Sequence, residues 1–254
     1  MFCTIINDCK DANAAGRQTT RAAALFGCPV NFIGVDFGGD LQAAGNLVDI
    51  LDAGEGPSTS SGQARGVVLV NVAPRNGSGK KWPNGTPFGY FWHKETLVVS
   101  SVDGLTLSLA KKLGILKDFH VLETPAEYAK HQFRSFAFLP KAAKTLLEGG
   151  KLKEHDGGQT SVTIPEAPKA VWWVDNFGNC KTTLLPEEIG FESGKQIKTK
   201  FGEFMCFESL KDVPDGQFGL VIGSSGLGDK RFLELVKQGE SAAKYLGILS
   251  GAVL

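Results

Sequence analysis

The feature that most constrains the fold is a change of hydrophobic rhythm near residue 150. Before it, apolar runs of strand length at residues 1–6, 30–35, 67–70 and 97–99 alternate with helical patterns. Residues 67–70, Val-Val-Leu-Val, are nearly all apolar, as a central parallel strand covered on both faces requires. Residues 16–26 read as a helix stopped by Gly27. Asp40 reads as the N-cap of a helix with Leu41, Ala44, Leu47, Val48 and Leu51 on one face. Residues 105–113, closed by Gly114, and 140–147, opened by Pro140, read as two more helices. After a polar linker at 151–159 the rhythm shortens. Residues 160–164, 170–174, 196–200, 204–207 and 219–222 are short β-type runs between turn residues. A helical turn at 241–246 and a last strand at 248–253 close the chain. The first part predicts an α/β domain over 1–155, three-layer with a mostly parallel sheet. The second predicts a small all-β, barrel-like domain over 160–254.

Charge and cysteine usage narrow the partners. Lys and Arg number 27, and so do Asp and Glu. That balance argues against nucleic acid or an anionic membrane, both of which want a basic face. No stretch approaches the roughly 18 apolar residues of a membrane span. The five cysteines form no C-x-x-C pair and the four histidines no H-x-x-x-H pair. The expectation is a cytoplasmic protein with no metal and no cofactor.

Polar corners follow several of the strands. Asn7-Asp8 ends the first; Asp8 suits a ribose diol, and with no second carboxylate beside it a metal is disfavoured. Residues 73–81 form a long loop with Arg75, Lys80 and Lys81 among glycines, able to hold an anion, without the spacing of a Walker A loop. Gly223-Ser224-Ser225-Gly226 can bind a carboxylate or phosphate through backbone N–H groups and hydroxyls. Its spacing does not meet the G-x-S-x-G nucleophile elbow. Asp175-Asn176-Phe177-Gly178-Asn179 follows the apolar run Val171-Trp172-Trp173-Val174 and reads as a hairpin-like corner. Gly178 and Asn179 can take the positive φ it needs, and Asp175 and Asn179 are expected at its tip with their side-chain donors and acceptors free.

Taken together these corners resemble those of the S-adenosyl-L-methionine (SAM) hydroxide adenosyltransferases, or SAM hydrolases, a family that includes the SAM-dependent fluorinases and chlorinases. Val174 to Asn179 is similar to the family's D-x-F-G-N corner. Gly223 to Gly226, Phe232-Leu233-Glu234-Leu235-Val236, and Gly239 through Ala242-Ala243 to Leu246-Gly247 are similar to its C-terminal tail. Asn7-Asp8 takes the place of its T-D-F-G. The resemblance implies an α/β domain followed by a β-barrel-like one, and a homotrimer with SAM sites between neighbouring subunits. It implies that Asp8 holds the ribose hydroxyls and that Phe177 and Asn179 contact the adenine. It places Asp175, Ser224 and Ser225 near the methionine amino and carboxylate groups.

The chain departs from the family around the nucleophile. Ala73 stands where the SAM hydrolases have an Asp, and His131-Gln132-Phe133-Arg134 stands near their F-H-G-R-D with shifted spacing. Arg75, Lys80 and His131 are therefore the candidate catalytic, water-holding groups. The implied reaction is attack of water or hydroxide on the ribose C5′ of SAM, giving adenosine and L-methionine. A non-catalytic SAM- or adenosine-binding protein, a SAM-dependent halogenase and an unrelated two-domain hydrolase are the competing readings.

Overall fold

The computed structural model describes residues 1–55, 65–72, 86–155 and 162–254. These divide into two compact units, Met1–Glu166 and Ala167–Leu254. Each is a six-stranded sheet with a few helices.

In the first unit, β1 (Phe2–Asn7), β2 (Val30–Gly34), β3 (Gly66–Asn71) and β5 (Thr96–Ser101) are parallel neighbours. β4 (Phe88–His93) runs antiparallel between β5 and β6 (His120–Leu122). The order is β2-β1-β3-β5-β4-β6. Alternate residues of a strand face the same side. Cys3, Ile5, Val67, Leu69, Leu97 and Val99 accordingly share one cluster. Ala22 and Phe26 of α1 (Ala12–Phe26) and Leu139, Ala142 and Ala143 of α6 (Leu139–Leu147) cover it. α2 (Asp40–Gly54) packs on β1 and β3 through residues outside that cluster, with α3 (Ser108–Lys112) beside it. β3 is thus buried along almost its whole length, which is why its sequence is apolar without alternation. Two short helices, α4 (Ala126–Ala129) and α5 (Arg134–Ala137), lead into α6.

In the second unit β7 (Val171–Val174), β8 (Cys180–Thr182), β9 (Gln196–Thr199), β10 (Gly202–Phe207), β11 (Phe218–Leu227) and β12 (Lys230–Lys237) are ordered β7-β8-β12-β11-β10-β9. All pairings are antiparallel except β10 with β11. One face buries Val171, Cys180, Leu220, Leu233 and Leu235 against Ala242 and Ala243 of α7 (Ala242–Leu246). Val213, Val221 and Val236 form a separate small cluster.

Several expectations are corrected. α1 starts four residues earlier than expected, because the Asp11 carboxylate caps the N–H groups of Asn13 and Ala14. Asp40 is the first helical residue of α2 and Gly39 holds the N-cap position. The Asp40 carboxylate instead accepts from Leu41 N at 2.8 Å and from Leu105 N at 2.8 Å. Residues 103–107 are a turn, so the expected helix over 105–113 shortens to α3; a Cβ on Gly104, whose φ is +65°, would also collide with Asp40. Residues 162–164 are not a strand, and 160 and 161 lie outside the described residues. The last strand reduces to one bridge, Ala170 to Val253. β4, β6, β8 and β12 go unread in the sequence because Gly, His, Lys and Glu interrupt their apolar runs. Among the described residues no helix is long and apolar enough to cross a membrane.

Candidate functional site

The strand order places one candidate site in the first unit. The connection after β1 sets β2 on one side of it, and the chain then crosses back to set β3 on the other. The switch point lies between the carboxyl ends of β1 and β3, where open α/β sheets bind ligands. Asp8 stands there. Its N–H donates to Asn71 O at 3.4 Å across the two strand ends. Asn7 beneath it is fully buried; its Nδ2 donates to Gln18 Oε1 at 2.7 Å and its Oδ1 accepts from Cys9 N at 2.8 Å. These bonds fix the backbone that carries the half-buried Asp8.

The other polar groups of this edge are spent on structure. Val72 N donates to Ser101 Oγ at 3.2 Å, which ties the end of β3 to that of β5. Asp36 pairs with Lys10 at 2.7 Å and accepts from Gln42 Nε2 at 2.8 Å. Those bonds, that of Lys10 first, hold its carboxyl below the usual range. Asp103 accepts from Gly104 N at 3.0 Å. Asp103 and Asn71 are, like Asp8, expected at strand ends from the sequence, Asn71 as a further water-holding group; Asp36, which also follows an apolar run, is not singled out there.

Arg75 and Lys80 lie outside the described residues, as does Ala73. His131 is exposed; its ring centroid is 5.7 Å from that of Tyr128, and its imidazole makes no hydrogen bond among the described residues. Arg134, from the same motif, donates to Thr86 O at 2.8 Å and lies over the Phe88 ring. Phe88 pairs with Ser101, so Arg134 reaches the carboxyl edge of the sheet. Burial lowers its pKa.

The second unit carries the Asp-Asn-Phe-Gly-Asn corner, which joins β7 to the antiparallel β8. Gly178 has φ +85°, and Asn179 stays in the ordinary region. The Asp175 side chain is not free. Its Oδ1 accepts from Phe177 N and Asn179 N, both at 2.9 Å, and its Oδ2 accepts from Asn179 Nδ2 at 3.1 Å. A short acidic side chain two and four residues before turn N–H groups closes on them, so this carboxylate organises the corner. The geometry also orients the Asn179 amide, since only its NH₂ can face a carboxylate. The amide oxygen accepts no bond among the described residues. Phe177 is 72% exposed.

Phe177 and Asn179 line a cleft of about 480 Å³ with Leu210, Lys237, Glu240 and Ser241. Lys237 is paired with Glu240 and lies 4.1 Å from the Tyr245 ring centroid. Nothing in the spacing of the sequence pointed to Leu210, Lys237 or Glu240. The Ser224-Ser225 pair sits in a bulge of β11, where the register with β12 shifts between Ile222 and Gly226. Ser225 is 1% exposed and its Oγ accepts from Lys181 Nζ at 2.8 Å. Ser224 is exposed; its N–H donates to Glu234 Oε1 at 3.2 Å and its carbonyl accepts from Arg231 at 3.1 Å. The two serines are therefore unlike, one packed against a lysine and one facing solvent.

Two of the cysteines, Cys3 and Cys180, are held as thiols by burial. Burial first, then the Asp175 charge, pushes the Cys180 thiol up to about 12, and Cys3 rises to about 12 by burial. Among the described residues no three His, Cys, Asp or Glu side chains are grouped to hold a metal ion.

No protein-family model and no curated protein matches the chain. Solved structures do. An uncharacterized conserved protein from Thermotoga maritima superposes with a TM-score of 0.70 at 16% identity, covering 99% of this chain and 98% of its own. A conserved hypothetical protein from Thermus thermophilus superposes with a TM-score of 0.62 at 21% identity, covering 100% of this chain and 99% of its own. At these identities the likeness is one of fold, and it extends over the full length of all three chains.

Proposed function

We propose that the protein binds SAM and cleaves it at the ribose C5′ with water or hydroxide, releasing adenosine and L-methionine. The observation that carries the reading is the Asp175-ordered corner. It presents an exposed aromatic ring, Phe177, beside an amide whose free acceptor is the Asn179 oxygen. An aromatic face suits a purine, and an acceptor suits the exocyclic amine that distinguishes adenine from hypoxanthine. Asp8, at the switch point of the first sheet, suits a ribose diol. The exposed Ser224 suits the methionine carboxylate. The finer architecture belongs to this reading too: a three-layer first domain, a barrel-like second one, and a homotrimer.

Displacement at C5′ needs little acid–base help, because the sulfonium already makes methionine a neutral leaving group. The protein must hold the nucleophile in line and strip its water. Arg75, Lys80 and His131 are the proposed water-holding groups. A second reading, SAM or adenosine binding without turnover, is favoured by Ala73 and by the solvent-facing His131.

Incubation of the purified protein with SAM, followed by chromatography for adenosine, separates the two. Adenosine release that falls at least tenfold in Asp8→Ala and Phe177→Ala supports cleavage. Calorimetric SAM binding without adenosine supports the second reading. Absence of both binding and turnover removes the SAM assignment.

A further inference from the structure

A groove of about 530 Å³ runs along the outer face of α1, apart from the residues proposed to bind or cleave SAM. Its floor is a row of small residues one turn apart, Ala12, Gly16 and Thr20, all exposed. Its wall is Arg17, Arg21 and the Phe136 ring. The guanidinium carbons of Arg17 and Arg21 lie 4.8 and 4.6 Å from the Phe136 centroid. Arg17 also lies 5.6 Å from the ring of Phe133, which stacks on Phe136 at 5.8 Å. Among the described residues neither arginine makes an ion pair or a hydrogen bond. The nearest acid along the helix, Asp11, is spent on capping Asn13 and Ala14.

The groove therefore offers two positive charges that meet no counter-ion among the described residues, already ordered against an aromatic surface. Ordering by stacking lowers the entropy that each guanidinium loses on meeting a carboxylate. Arginine and aromatic side chains are also the residues that dominate protein interfaces. A small molecule would be covered on one side only here, unlike the enclosed pockets such ligands prefer. The lining from residue 12 to residue 24 spans about 18 Å of helix, the length of an extended segment of several residues.

We propose that this groove docks an acidic segment of a partner protein, with carboxylates meeting Arg17 and Arg21 and an apolar side chain resting on Phe136. The test is selection of a random displayed library of 12-residue peptides on the immobilised protein. Winners are then measured by fluorescence anisotropy against the wild type and the Arg17→Ala/Arg21→Ala double variant, whose folding is checked by thermal melting. The expected result is enrichment of Asp and Glu around one apolar residue, at least tenfold weaker binding to the double variant, and affinity that falls with salt. A selected pool without acidic enrichment overturns the proposal, as do peptides that bind both proteins equally. Retention on phosphatidylserine vesicles that the double variant loses, with no acidic peptides selected, overturns it in favour of a lipid surface.

Discussion

The corner after β7 and the carboxyl edge of the first sheet are built by opposite routes. The corner is local: within five residues Asp175 accepts three bonds, from Phe177, Asn179 and the Asn179 amide, and Gly178 supplies the positive φ. The edge is assembled from distant segments: Asp8 meets Asn71, Val72 meets Ser101, Asp40 meets Leu105. A local device can be broken by one residue without disturbing the sheet around it. A non-local one spreads its dependence over the whole strand order. The difference matters for the proposed function, in which the corner recognises the base and the edge is the platform that carries Asp8.

The largest effect is expected at Gly178. Alanine there would be strained by φ +85° and would drive its Cβ into Ser241, which caps α7 by accepting from Lys244 N. Gly178→Ala should destabilise the protein by about 3 kcal/mol, strain and steric overlap together. Urea unfolding reads it. Adding Ser241→Gly should recover part of the loss, the overlap with the Ser241 side chain; full recovery would mean that neither the positive φ nor the close backbone of residue 241 contributes.

The platform gives the next effect. Asn7→Leu removes the donor to Gln18 Oε1 and the acceptor of Cys9 N in a fully buried site. A cost of about 2 kcal/mol is expected, the usual range for stranding buried polar groups. Hydrogen exchange should then rise across β1 and the start of α1, with the 175–179 corner unaffected. Exchange that rises equally in both units would abolish the contrast between a local and a distributed site.

Asp175→Asn sharpens the comparison on the recognition side. The new amide can still accept from Phe177 N and Asn179 N, so the stability loss should be about 1 kcal/mol. Its other end becomes an NH₂ donor, which favours the Asn179 oxygen turned toward residue 175 and the Asn179 NH₂ turned outward. Wild-type protein should prefer adenosine over inosine by about tenfold, the worth of one hydrogen bond to a matched donor, and the variant should lose most of that preference. Calorimetry with both nucleosides measures it. Equal affinities in the wild type would mean that the Asn179 oxygen does not read the base.

What the sequence discloses follows the same division. The 175–179 corner is legible because its residues are contiguous and Gly and Asp have known turn roles; the expected freedom of Asp175 and of the Asn179 amide donor fails, since a carboxylate so placed closes on its own turn, and Gly178 alone takes the positive φ. The alternation of strands and helices in the first unit was legible because β1, β3 and β5 are apolar on both faces. Which polar strand end faces the switch point was not, because Asp8, Asp36 and Asp103 look alike until the order β2-β1-β3-β5 is known. The short helix near 108 is illegible for a related reason: Asp40, distant in the sequence, holds the preceding turn through a bond to Leu105 N that no spacing announces.

The smallest predicted effect concerns pH and the platform. Lys10 and Gln42 hold the Asp36 carboxyl below its ordinary value of 3.8 by hydrogen bonding. A carboxylate with a depressed folded-state pKa binds protons more weakly folded than unfolded. Its contribution is therefore complete above the unfolded value and is lost as pH falls through the folded one. Both partners are largely exposed, so solvent screening limits the pair to about half a kcal/mol. Asp36→Asn should match the wild type to within that margin at neutral pH, and the gap should close as pH falls from about 5 to about 3. Urea midpoints of the two proteins across that range measure it. A gap that widened toward acid would reverse the assigned sign, and would mean that the Asp36 carboxyl is raised in the folded protein and that burial outweighs Lys10 at this edge.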